Sequence, residues 1–249
     1  MFQYFIAFNL KILLVLVVFG FIMGKARQSA WKVLSHRTGG CLILDFFNLI
    51  GTPVHELSHL LPGLLFGYRV EKICLYRRVK TAAKNGGALG FVKMSHRGKT
   101  RGQKLQKGLG PFFIGVGPLF LPPIFLFFLS ALLPASLRTL PASFGQGMDS
   151  FFKALHQLSS TDIIIMFAYL YVIIGVSLNM ELSRQDLHTA WKGLLLLECL
   201  FFLLSAMAVL FHWNLSRFID FLFHWNLLIA SIGTIFGLSI HLLSLISSE

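Results

Sequence analysis

His55-Glu56-Leu57-Ser58-His59 sets two imidazoles four residues apart, with a carboxylate directly after the first. On a helix, positions four apart share a face. His55 and His59 can therefore grip one Zn²⁺, and Glu56 can reach a water on that ion as general base. The chemistry is carbonyl attack. Two neutral imidazoles hold the ion, the ion acidifies a water, and the carboxylate takes the water's proton as it adds to a carbonyl. In a soluble protein so short a pattern could arise by chance or form a solvated helix face. Here its neighbours are Leu49, Ile50, Val54, Leu57, Leu60, Leu61, Leu64, Leu65 and Phe66. Three ionisable groups within five residues of a lipid-length apolar segment are costly, and such groups mark a functional site.

The elements that must position this motif are membrane elements. The chain has 249 residues, 55% of them hydrophobic, with 26 Phe and only 13% charged, which excludes an ordinary soluble core. Apolar runs of about 20 residues, enough to cross a bilayer, fall near 4–23, 42–66, 109–134, 162–182, 193–211 and 221–246. The expected fold is an all-α polytopic membrane protein of six spans with a small β-hairpin inserted after the metal-binding helix. The whole of 1–249 reads as one membrane-embedded domain, its core at about 42–190. The N-terminus has no basic residue before Lys11 and no small-x-small cleavage site, so it reads as a retained span.

Within the second run, Gly51-Thr52-Pro53 is expected to break the helix, with Thr52 as N-cap and Pro53 at the first position of a new metal helix. Pro62 leaves the Ser58 carbonyl without its helical donor, a kink that only protein or water can satisfy at membrane depth. The third run, with Gly110, Pro111, Gly115, Gly117, Pro118, Pro122 and Pro123, predicts an irregular helix packed closely on a neighbour. Ser160-Thr161-Asp162 caps the fourth. The repeat Phe211-His212-Trp213-Asn214-Leu215 and Phe223-His224-Trp225-Asn226-Leu227 reads as interfacial aromatic belt.

The formal charge of +12 is concentrated. Residues 67–108 carry twelve Lys/Arg against one acid, Glu71. With no nucleic-acid motif beside it, this loop reads as cytoplasmic and attracted to anionic headgroups, not as a nucleic-acid site. The expected location is the cell membrane, with several passes. This orientation puts 24–39, with Lys25, Arg27, Lys32 and Arg37, outside, and the larger charge decides. Val70–Tyr76 and Ala88–Met94 are strand-like around the turn Asn85-Gly86-Gly87. Such a hairpin could add an extended substrate as a further strand, or be a solvated basic loop that only sets topology. Cys41, Cys74 and Cys199 match no metal spacing and are expected as thiols, Cys74 as a packed residue and not a ligand.

Residues 51–66, the Gly/Pro-rich third run and 177–187 together resemble the site-2 protease clan of intramembrane zinc metalloproteases. The resemblance covers spans two to four. It implies a carboxylate from a later span as third ligand. In this sequence that carboxylate is Asp186, with Asn179 and Ser183 as substrate-binding or supporting residues. The family's usual Gly after that Asp is here Leu187, and no Pro lies between Asn179 and Asp186. Glu181 and His188 are the rival ligands, and a simple helix cap is the other role open to Asp186. A catalytic zinc needs three protein ligands and one open position, and each imidazole needs an acceptor for its other nitrogen. Asp45, Asn48 and Asn179 are the candidate acceptors. The resulting expectation is a zinc endopeptidase acting on a membrane protein or membrane-adjacent peptide. The alternatives are a metal-handling transporter and a catalytically silent membrane scaffold. A transporter would spread its ionisable groups along several spans as a pathway, whereas here they cluster at one depth.

Overall fold

The computed structural model describes residues 2–13, 18, 21–22, 24–25, 40–84, 86–95, 101–180 and 183–246. Residues 26–39, Asn85 and Glu181 lie outside the described residues. Among the latter the chain is predominantly helical. Helix α1, Phe2–Ala7, runs into a π-helical turn, Phe8–Leu13, and α2 spans Gly40–Leu65. Strands β1, Arg69–Cys74, and β2, Phe91–Ser95, flank the short α3, Val79–Lys84. There follow α4, Arg101–Ala131; α5, Ala135–Gly145; α6, Met148–His156; α7, Ser160–Leu178; α8, Arg184–Leu210; and α9, Ser216–Ile246. Among the described residues, three helices are long and apolar enough to cross a bilayer: Gly110–Ala131 within α4, Ser160–Leu178, and Ser216–Ser239 within α9. They correspond to the third, fourth and sixth expected runs and mark the chain as a membrane protein.

Helix α2 does not restart at Thr52. It is continuous through Gly51, Pro53 and Pro62. Packing replaces the expected cap, because the Thr52 hydroxyl donates across to Asn179 Oδ1 at 3.3 Å. Gly51 meets the Gly175 carbonyl so closely that a methyl group would overlap it. The two faces of α2 are inverted relative to a water-soluble helix. Asn48, Thr52, Glu56, Ser58 and His59 are buried, whereas Leu42, Phe46, Leu49, Leu61 and Leu64 are exposed. Apolar outside and polar inside is the arrangement a helix adopts when its outer face meets hydrocarbon.

Helices α4 and α7 close on the buried face of α2, and α8 lies along α4. One apolar cluster joins Leu126 to Ile173, Val176, Met180 and Ile229, and Trp225 packs into it. The Trp225 indole N–H donates to the Pro123 carbonyl at 2.8 Å. The second copy of the aromatic repeat therefore binds helices together. Lys11 pairs with Asp220, and Asn9 donates to Glu198.

β1 and β2 pair antiparallel from Arg69 opposite Ser95 to Cys74 opposite Phe91, with a bulge between Val70 and Lys72. Their connection is not the tight turn expected at Asn85-Gly86-Gly87. It contains α3, followed by Gly86 and Gly87, both at φ 83°. Asp45 of α2 anchors this connection: its Oδ1 accepts from the Tyr76 hydroxyl and from the Val79 amide, each at 2.7 Å. Val79, Ala82 and Leu89 then pack on Cys41 and Leu44. The connection is thereby laid along α2 and delivers Gly90 to the motif.

Candidate metal centre

His55 and His59 stand one turn apart on α2, and Asp186 comes from the first turn of α8. Their ligand atoms all lie within 4.8 Å of one another. The His55 and His59 Nε2 atoms are 3.2 Å apart. Asp186 Oδ1 is 3.4 Å from His59 Nε2, and its Oδ2 is 4.0 Å from His55 Nε2. Donors bound at ~2.0–2.1 Å to one tetrahedral zinc stand ~3.4 Å apart; the His55–His59 and His59–Asp186 separations match that spacing, and the His55–Asp186 separation is wider.

The tautomers support that fit. His55 Nδ1 lies 2.7 Å from the Asn179 carbonyl oxygen, and His59 Nδ1 lies 2.7 Å from the Ile114 carbonyl oxygen. A carbonyl can only accept, so each Nδ1 carries a proton, and in the neutral imidazole each Nε2 then keeps its lone pair. Two lone pairs and a carboxylate converge, a donor set that attracts positive charge. Orientation of metal-binding imidazoles by a carbonyl on the far nitrogen is the usual supporting arrangement. Of the three expected acceptors, Asn179 serves, but through its backbone. Asp45 is engaged by Tyr76 and Val79, and the Asn48 amide donates to the Leu44 carbonyl at 2.7 Å. The Ile114 carbonyl was missed by the sequence reading, although Pro118, four residues on, is the signal that could have revealed it.

Asp186 is both a cap and a member of the cluster. Ser183 is the N-cap of α8: its hydroxyl accepts from the Asp186 amide at 3.1 Å, and Asp186 Oδ2 accepts from the Ser183 amide at 2.9 Å. This capping box leaves Oδ1 directed at His59. Ser159 and Asp162 build the same box at the start of α7, one residue before the expected cap cluster. Asp186 lies in the first turn of α8, the helix of the fifth expected apolar run, because α7 stops at Leu178 with Asn179 as its C-cap. His188 is exposed and outside the cluster, and Glu181 lies outside the described residues.

Glu56 is buried at 7% exposure. The chain entering β2 covers it. A Cβ on Gly90 would sit 2.7 Å from Glu56 Cγ and 2.8 Å from Oε1, so only glycine allows this approach. The site thus assembles a carboxylate under an extended strand, beside two oriented imidazoles and a fixed aspartate. The chain matches no protein-family model, no curated protein and no solved structure.

Proposed function

We propose that this chain is a membrane zinc endopeptidase of the site-2 protease kind, cleaving membrane-embedded or membrane-adjacent peptides. The observation that carries the reading is the convergence of His55 Nε2, His59 Nε2 and Asp186 within metal-ligand spacing, with both Nδ1 atoms tied to carbonyls. These three residues would hold the ion. Zinc bound there supplies Lewis acidity, lowering the pKa of a water toward ~7 and polarising a carbonyl. Glu56 would accept a proton from the attacking water as the water's oxygen adds to the scissile carbonyl carbon. It then delivers the proton to the amide nitrogen, which leaves as an amine when the C–N bond breaks.

A substrate helix ties up its carbonyls in hydrogen bonds, so it must be held extended to react. Strand addition beside β2 supports this step, since Gly90 brings that strand's entry against Glu56. The proposed topology has six passes, the basic stretch 67–108 in the cytoplasm and the cell membrane as location. The concentration of Lys/Arg in that stretch supports this orientation.

Replacing Glu56 by Gln removes the base and keeps the ligands. Purified Glu56→Gln is expected to retain stoichiometric zinc while losing cleavage of a membrane-tethered reporter peptide. Cleavage at the wild-type rate would refute the mechanism. Zinc flux in proteoliposomes without any cleavage would transfer the site to a transporter.

A further inference from the structure

The acceptor of His59 is available for a reason written four residues later. In an α-helix the carbonyl of residue 114 accepts from the amide of residue 118. Residue 118 is proline, which has no amide hydrogen. The Ile114 carbonyl inside α4 is therefore left without its helical donor, at a depth where no bulk water replaces it. It lies 2.7 Å from His59 Nδ1.

Gly117 brings that carbonyl within reach. A Cβ there would overlap the Ser58 carbonyl oxygen, which itself lacks a helical donor because residue 62 is proline. The two helices thus meet where each has a carbonyl without its usual partner, and the missing Cβ allows the contact. Pro118 is fully buried in this contact.

We propose that Pro118 is a positioning residue for the metal centre. By withholding an amide hydrogen from Ile114, it gives that carbonyl to His59 Nδ1 and so fixes the tautomer that presents Nε2 to the ion. This rests on the metal-centre reading above. Any residue with an amide at 118 competes for the Ile114 carbonyl and loosens the ring. The effect runs through one hydrogen atom and not through the pyrrolidine ring, which makes it separable from packing.

The test is metal binding by the purified full-length chain in nanodiscs. Zn²⁺ affinity is measured against a chelating dye, and the visible bands of the Co²⁺-loaded protein report ligand geometry. Pro118→Ala is expected to weaken zinc by about tenfold or more, the range for losing a ligand's orienting partner, and to shift the Co²⁺ bands. Lactic acid incorporated at 118 in place of proline gives an ester with an alanine-sized side chain and no amide hydrogen. It is expected to bind zinc with wild-type affinity. Pro122→Ala, which restores an amide toward the Pro118 carbonyl, is a matched control expected to change nothing. If Pro118→Ala binds as tightly as wild type, or the ester is weakened as much as Pro118→Ala, the inference is overturned. Wild-type protein that takes up no zinc overturns the metal-centre reading, and this inference with it.

Discussion

At the scale of the residue, the site depends on side chains whose second functional atom is already committed. His55 and His59 offer Nε2 because Nδ1 is held by a carbonyl. Asp186 offers Oδ1 because Oδ2 is held by the Ser183 amide. This separates two serines that are otherwise equivalent. Ser159 and Ser183 both cap a long helix through a Ser-x-x-Asp box. Ser159→Ala and Ser183→Ala should each cost about 1 kcal/mol of stability, the usual value of an N-cap. Only Ser183→Ala should also weaken zinc, by about tenfold or more, because only there does the capping carboxylate face the imidazoles. Parallel unfolding and chelator-competition titrations of the two variants check this. A Ser183→Ala chain with unaltered zinc affinity would show that the cap does not aim the ligand.

At the scale of the element, α2 is held on its polar side by contacts that admit no added Cβ. Gly51 touches α7, and Gly117 of α4 touches Ser58. Without a hydrophobic drive between helices in lipid, such close backbone approach is the main source of packing energy. Gly117→Ala should destabilise the chain by about 1–3 kcal/mol, the range for overpacking, and should shift the Ile114 carbonyl away from His59. Gly145→Ala, at a position with open space around it, should stay within about 0.5 kcal/mol of wild type. Thermal unfolding of both variants distinguishes a real contact from a general intolerance of substitution. Asp45 plays a comparable part for the β1–β2 connection. It satisfies the Tyr76 hydroxyl and the Val79 amide. Burial, and then the hydrogen bond to Asp45, hold the Tyr76 phenol above its ordinary pKa.

At the scale of the whole molecule, the proposed ion would join two helices far apart in sequence. His55 and His59 come from α2, and Asp186 comes from the start of α8. A ligand that binds the folded state alone adds RT ln(1 + [L]/Kd), about 2.7 kcal/mol at a hundredfold excess over Kd. Chelation should therefore lower the unfolding temperature of the wild-type chain, and zinc should restore it. Asp186→Ala should respond much less to either treatment. An equal chelator response in both proteins would mean that Asp186 is not a ligand.

The sequence alone determined the chemistry-bearing spacing. A separation of four residues puts His55 and His59 on one face of any helix, whatever the helix packs against. It also determined the membrane character, since apolar runs of bilayer length have few other stable settings. The strand-like runs at 70–76 and 88–94 were legible as a small sheet, although α3 between them was not, because six residues of VKTAAK carry little helical periodicity. Tertiary structure decided the rest. Thr52 looks like a cap when only its neighbours are considered, but a partner on α7 satisfied it and the helix ran on. Asp186 joined the histidines only because α7 ends at Leu178 and α8 starts afresh at Arg184 behind its Ser183 cap. The Ile114 carbonyl became part of the site because α4 could approach at Gly117. Local spacing can specify which atoms are able to bind a metal, but backbone carbonyls look alike in sequence, and only the packing of helices selects the ones that orient the ligands.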